Sequence, residues 1–286
     1  MAKLLIVGCG SIGLQLAEEL SVKGHHVTGL KRTPPTLALT GINFMAADIA
    51  SLAQLNALPT DFDVVYFIVS PDGRNPDSYQ AVYEQGLNNL LSIFKQADAN
   101  PQWILVSSTS VYGQTQGEWV DEASTAEPQN VPSRYIRQAE LQLTALNPKN
   151  IVVRFSGIYG PGREYLIRMA QQGGAVQKEP VYYTNRIHQA DCVGVLVYLL
   201  EQSLAGVALE QYYVASDNDP APQWEVISWL AERLGAEQPT VKAPDNTAQS
   251  NKRCNNQRLK ALGYQFKYPS YQTGYSQLVE GVKGVN

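Results

Sequence analysis

An α/β fold built on a parallel sheet is what this sequence predicts, and three observations carry that expectation. Short β-branched runs alternate with amphipathic stretches over the first two-thirds of the chain, the pattern of successive βαβ units. A glycine-rich turn, Gly8-Cys9-Gly10-Ser11-Ile12-Gly13, joins the first such run to the first amphipathic stretch. The chain has 286 residues, 44% of them hydrophobic and 17% charged, which supplies a core and exceeds one small domain.

Strands are expected at residues 4–7, 26–30, 43–46, 64–69, 103–107 and 151–155. In the first helix Ile12, Leu16 and Leu20 share a face with Ala17, and Gly24 stands just beyond as a stop. A second helix is expected over 77–95, turning Tyr79, Val82, Tyr83, Gly86, Leu87 and Leu90 inward. Past Pro161 the pattern loosens into helices near 165–172, 192–200 and 224–234, a strand near 181–184 and a surface loop over 239–250. The economical division is a nucleotide-type domain over 1–160 and 185–216, with a smaller interleaved lobe over 161–184 and 217–286.

Composition excludes several classes. The net charge is −4, and the nearest approaches to a basic block are the pairs Lys31-Arg32 and Lys252-Arg253, which argues against a nucleic-acid partner. Cys9, Cys192 and Cys254 are odd in number and widely spaced, which argues against a disulfide framework and for a reducing compartment. The longest apolar run, residues 192–200, falls short of the ~18–20 residues a membrane span needs. A cytoplasmic protein without membrane partner is the expectation. No His, Asp or Glu cluster has metal-ligand spacing.

The glycine turn has the chemistry of a phosphate loop. Gly8 permits the tight turn, Gly10 lets backbone approach a pyrophosphate, and Gly13 lets the helix pack closely on the strand. The helix start at Ser11 and Ile12 then offers N–H groups and the positive end of the dipole. At the end of the second strand an NAD site carries a carboxylate for the ribose 2′-OH. Here that strand runs into Lys31-Arg32-Thr33, two cations where a 2′-phosphate would lie. NADP(H) is therefore expected over NAD(H); the competing reading of the pair is a solvated basic turn.

Further segments accumulate in a fixed order: Ala47-Asp48-Ile49, then Ser107-Ser108-Thr109-Ser110-Val111-Tyr112-Gly113. Val153-Arg154-Phe155-Ser156-Gly157-Ile158-Tyr159-Gly160-Pro161-Gly162 and Asn185-Arg186-Ile187-His188-Gln189-Ala190-Asp191 follow. Together these resemble the NAD-dependent epimerase/dehydratase family, the extended branch of the short-chain dehydrogenase/reductases. The glycine loop departs from that family's usual GxxGxxG and is closer to atypical members. The resemblance implies a Rossmann-type, doubly wound sheet of about seven strands, with the cofactor across the strand C-termini. It implies that Asp48 contacts the adenine amino group and that Ser70 and Pro71 lie beside the cofactor. It further implies that the C-terminal lobe holds a small-molecule substrate, often a nucleotide-sugar.

Catalysis in the family uses Ser or Thr, Tyr and Lys. The resemblance assigns the first role to Ser108 and the proton-transfer role to Tyr135. Four residues past Tyr135 stands Ala139 instead of Lys; aligning Ala139-Glu140 with the family's later Ala-Glu moves the Tyr and Lys positions to Pro132 and Ile136. Either alignment loses the lysine. The family's structural Asn becomes Tyr83. A tyrosine without the lysine keeps its proton near neutral pH, so it serves carbonyl reduction better than alcohol oxidation. Arg134 and Arg137 are read as facing solvent or an anionic ligand. Two functions follow: an NADP(H)-dependent oxidoreductase acting on a nucleotide-sugar or similar polar carbonyl or alcohol, or a catalytically silent NADP(H)-binding sensor. Either is expected as a monomer or homodimer.

His188 admits an acid–base role or, preferred here, a hydrogen bond between lobes with Asp191 capping the following helix. Arg154, Arg163, Arg168 and Arg186 come from segments that border the family's substrate cleft. The stretch 251–259 reads from composition as an exposed helix start, although the resemblance turns Lys252-Arg253 toward the cleft.

Overall fold

The apolar run near the start of the chain becomes the strand on which the rest is ordered. The computed structural model describes residues 1–36, 39–244 and 250–283. Its main sheet has seven strands: β1 (Lys3–Val7), β2 (His26–Lys31), β3 (Ile42–Ala46), β4 (Val64–Phe67), β5 (Gln102–Ser108), β6 (Ile151–Phe155) and β7 (Tyr212–Ala215). They lie in the order β7-β6-β5-β4-β1-β2-β3. The pairings are parallel, with Leu4 opposite Val27 on one side and Val64 on the other. Leu4, Leu5, Ile6 and Val7 are all buried, as a strand covered on both faces requires. The order reverses beside β1, and that reversal opens a crevice at the strand C-termini.

The expected strands are present, with one shortened: β4 ends at Phe67 rather than residue 69, its last ladder bond running from Ile68 N–H to the Val7 carbonyl before Pro71. Helix α1 (Ser11–Val22) buries Ile12, Gly13, Leu16, Ala17 and Leu20, and Gly24 follows in a left-handed conformation. The helix expected over 77–95 has three parts. It opens as α2 (Pro76–Tyr79) under an Asn75 cap, widens to a π-helix over Gln80–Gly86, and closes as α3 (Leu87–Gln96). Gly86 permits its close approach to the sheet side, since a Cβ there would stand 2.6 Å from Ile49. Helix α4 (Val131–Leu146) starts under Asn130, whose side chain accepts the Ser133 N–H. Further α-helices among the described residues are α5 (Tyr165–Gln171), α6 (Gln189–Leu204), α7 (Gln223–Leu234), α8 (Gln257–Ala261) and α9 (Tyr271–Lys283).

Packing divides the chain into two units. The first comprises Met1–Val111, Pro128–Arg154 and Val193–Tyr213; the second comprises Tyr112–Glu127, Phe155–Cys192 and Val214–Asn286. The second unit has its own core of Tyr159, Ile167, Val226, Leu230 and Tyr275. Its strands are short pairs, including Gly157–Tyr159 with Arg186–His188 and Glu118–Val120 with Lys252–Cys254.

Three expectations fail in this unit. The strand near 181–184 shrinks to Tyr183–Thr184. The surface loop over 239–250 contains a strand, Thr240–Lys242, paired in parallel with Ala175–Gln177, while residues 245–249 lie outside the described residues. The exposed helix start at 251–259 is instead a strand with Lys252 and Cys254 buried, and helix begins only at Gln257. Asparagine side chains hold that segment extended: Asn185 bonds the Lys252 carbonyl and the Cys254 N–H, and Asn251 bonds Tyr183 and Val181.

Candidate active site

The phosphate-loop glycines differ in what surrounds them. Gly8 has φ +98°, its N–H donates to the Leu30 carbonyl at 3.0 Å, and a Cβ there would overlap the Ile68 carbonyl. A Cβ on Gly13 would overlap the Gly8 carbonyl. Gly10, by contrast, faces open space, with nothing within 4 Å of where its Cβ would be. It is also the N-cap of α1 and makes no side-chain cap bond there. Beside it lies a cavity of about 360 Å³ lined by Gly8, Gly10, Lys31, Arg32, Asp48 and Ser70, over apolar walls that include Val7 and Leu30. Ser11, Ile12 and Gly13 form the first turn of α1. Open space before a helix N-terminus, where any side chain would intrude, suits a pyrophosphate, so these residues fit a dinucleotide. Burial pushes the Cys9 thiol up to about 11, leaving it an inert wall of this loop.

At the adenosine end, Asp48 accepts the Ala50 N–H at 2.9 Å and its own N–H donates to Gln54. Arg32 is engaged: Nη1 and Nη2 each donate at 2.5 Å to the two carboxylate oxygens of Asp72. Asp72 belongs to the loop between β4 and α2 and lines the same cavity. Nothing local in the sequence marks Asp72 as this partner, because it lies 40 residues from Arg32 in a loop after a different strand. The ion pair raises the Arg32 guanidinium above its usual range and lowers the Asp72 carboxyl.

Hydroxyls gather at the end of β5. Ser108 Oγ accepts the Ser110 N–H at 3.1 Å, and Ser133 Oγ on α4 donates to Ser110 Oγ at 2.9 Å. Ser133 is buried and Tyr135 half-buried; two residues along a helix rotate a side chain by about 200°, so the two leave α4 on different faces. Ala139 is fully buried. Next to it Glu140, also fully buried, accepts from Arg154 Nε at 2.9 Å and Nη2 at 2.8 Å, Arg137 Nη1 at 2.8 Å and Ser107 Oγ at 2.5 Å. Arg154 therefore does not border a cleft; it is 2% exposed and anchored in the core. Arg137 meets Glu140 rather than solvent or a ligand, while Arg134 is exposed and reaches the Pro128 carbonyl.

Residues 4–215 match the model of the NAD dependent epimerase/dehydratase family. The chain belongs to that family. A Methylobacillus flagellatus protein proposed to be an NAD-dependent epimerase/dehydratase is 35% identical, covers 99% of both chains and superposes with a TM-score of 0.83. The Escherichia coli (strain K12) protein YeeZ is 26% identical over 280 residues, 94% of this chain and 97% of its own. The Thermus thermophilus UDP-glucose 4-epimerase, solved with NAD, shares the fold at 19% identity, with a TM-score of 0.79 over 99% of this chain and 100% of its own.

The second unit of this family member holds the remaining candidates. His188 is buried, its Nδ1 accepts the Ala190 N–H at 3.2 Å, and its ring packs against Tyr159 and Tyr268. Burial lowers its pKa. Asp191 does not cap α6: it lies inside that helix and accepts from Tyr264 Oη and the Lys267 and Tyr268 N–H groups, tying down the later segment. Arg163 and Arg168 are exposed, the latter 3.5 Å from Glu164. Arg186 is buried; its Nη2 bonds Thr184, while Nε and Nη1 have no hydrogen-bond partner among the described residues. Asp217 Oδ2 stands 3.9 Å from Nη1 and is likewise unbonded, and burial pushes the Asp217 carboxyl up to about 7. Among the described residues, no group of three or more His, Cys, Asp or Glu could hold a metal, and no helix is long and apolar enough to cross a membrane.

Proposed function

We propose that this family member is an NADP(H)-dependent oxidoreductase acting in the cytoplasm on a nucleotide-sugar or a similar polar carbonyl or alcohol. The observation that carries the cofactor choice is the cavity itself: Lys31 and Arg32 line it together with the glycine loop, and β2 ends without a carboxylate. Gly10 and the first turn of α1, Ser11 to Gly13, hold the pyrophosphate; Asp48 takes the adenine amino group and Ser70 lies beside the cofactor. The bound dinucleotide supplies a hydride donor or acceptor. Ser108 orients the reacting oxygen, and Tyr135 gives it a proton as a carbonyl is reduced, a direction suited to a site with alanine at 139. Residues 1–160 and 185–216 take the dinucleotide-binding role; 161–184 and 217–286 take the substrate role.

A second reading, an NADP(H)-binding sensor without turnover, is favoured by one feature. The side chain of α4 that meets Ser110 is Ser133 rather than a tyrosine, and the apolar Ala139 is fully buried one turn past Tyr135.

Turnover of NADPH with sugar nucleotides and small carbonyls decides between them. The oxidoreductase reading expects turnover that drops at least ~10-fold in Tyr135→Phe, the lower range for loss of a general acid. Turnover indifferent to that change removes Tyr135 as donor; tight NADPH binding with no turnover of any substrate selects the sensor. Arg32→Ala should weaken NADPH binding about tenfold and leave NADH nearly unchanged.

A further inference from the structure

The pairing of Arg32 with Asp72 bears on how strongly the cofactors are discriminated, and this inference rests on the NADP(H) reading above. Both guanidinium Nη atoms point at the two oxygens of one carboxylate. A phosphate engages arginine through the same two-pronged geometry, so that edge of Arg32 serves one partner at a time. Asp72 and Arg32 line the cavity that holds the glycine loop, so the competition takes place within the cofactor site. Asp48 lines the same cavity, and its charge also reaches Arg32, but Asp48 is bonded to the Ala50 N–H and leaves the fork to Asp72.

We propose that Asp72 is a specificity-determining residue: its carboxylate occupies the Arg32 fork in the absence of a 2′-phosphate, repels one that approaches, and holds NADP(H) preference below what Lys31 and Arg32 alone would give. The side chains are 57% and 68% exposed, so the pair exchanges readily. An exposed ion pair shifts an equilibrium by about fivefold at most, and screened repulsion between carboxylate and phosphate adds to it. NAD(H), with a neutral 2′-hydroxyl, leaves the pair in place.

The test is a fluorescence titration of NADPH and NADH against the full chain as wild type, Asp72→Asn, Arg32→Ala and the double variant, at low and moderate salt. Asp72→Asn should tighten NADPH about three- to tenfold, most at low salt, and change NADH less than about twofold. In the Arg32→Ala background that gain should shrink to less than about twofold, the part that screened repulsion alone supplies. Unchanged or weaker NADPH binding in Asp72→Asn, with Arg32→Ala still impairing NADPH, overturns the role given to Asp72. A gain of equal size without Arg32 also overturns it, reducing the effect to unspecific repulsion. If Arg32→Ala leaves NADPH binding intact, the NADP(H) reading itself falls, and the role of Asp72 with it.

Discussion

Gly8 and Gly10 are chemically the same residue, yet a methyl group on each would meet different things. At Gly8 it would run into the Ile68 carbonyl on a backbone already at φ +98°, so Gly8→Ala should cost about 2–4 kcal/mol in a urea denaturation measurement. At Gly10 it would meet no atom of the described residues, so Gly10→Ala should cost no more than about 1 kcal/mol, the loss of a glycine N-cap, while weakening dinucleotide binding at least ~10-fold. Normal binding by Gly10→Ala would place the pyrophosphate elsewhere. This much was legible from residue types, because GxGxxG between strand and helix has a steric meaning at each position. The Asp72 partner of Arg32 was not legible, since the two follow β4 and β2, the strands on either side of β1, and are brought together by the sheet order and not by spacing. Nor was the phase of α4: Ser133 and Tyr135 are two residues apart, and only packing decides which one meets Ser110.

Helix α4 shows that charged residues in a sequence do not mark a wet face. Its charged residues suggest a wet or ligand-facing surface, but Glu140 joins Arg137, Arg154 and Ser107 in a bonded group that seats the helix on β5 and β6. Arg154 also lies over the Tyr212 ring, 4.7 Å from its centre. Removing the acid leaves a buried guanidinium without a counter-charge. Glu140→Ala should therefore lose about 3–5 kcal/mol in chemical denaturation, and Glu140→Gln less. A loss under about 1 kcal/mol would show that the group does not seat the helix. Six strands of the main sheet were legible because each carries a short apolar or β-branched run, whereas the edge strand Tyr212–Ala215 was not marked by the pattern. The two- and three-residue strands of the second unit carry no such period, and asparagine side chains hold one of them in place. The widened turn at Gln80–Gly86 has the apolar spacing of regular helix; within it the Tyr83 hydroxyl donates to the Val69 carbonyl at 3.4 Å.

At the scale of the whole molecule, stability should carry the signature of Asp217. It faces Arg186, with Asp191, Asp219, Tyr159 and Tyr275 also in its field. Its folded pKa is raised from 3.8 to about 7, so folding takes up a proton between those values. The stability it contributes is full below about pH 4 and lost as pH rises through about 7. His188, whose pKa is lowered, works in the opposite sense below about 6.5, so the wild-type profile alone is not diagnostic. The melting temperature of wild type minus that of Asp217→Asn should rise as pH falls from 8 to 5; a constant difference would mean that Asp217 does not titrate in this range. Family and fold were legible because the motif order spans the sheet, and this pair was not, because charge in a sequence says nothing of burial. The division into two units has a consequence for the gene. The chain passes from one unit to the other at 111/112, 127/128, 154/155, 192/193 and 213/214. No single crossover or fusion can therefore donate one half without fragments of the other, and the two halves must be inherited, exchanged and lost together.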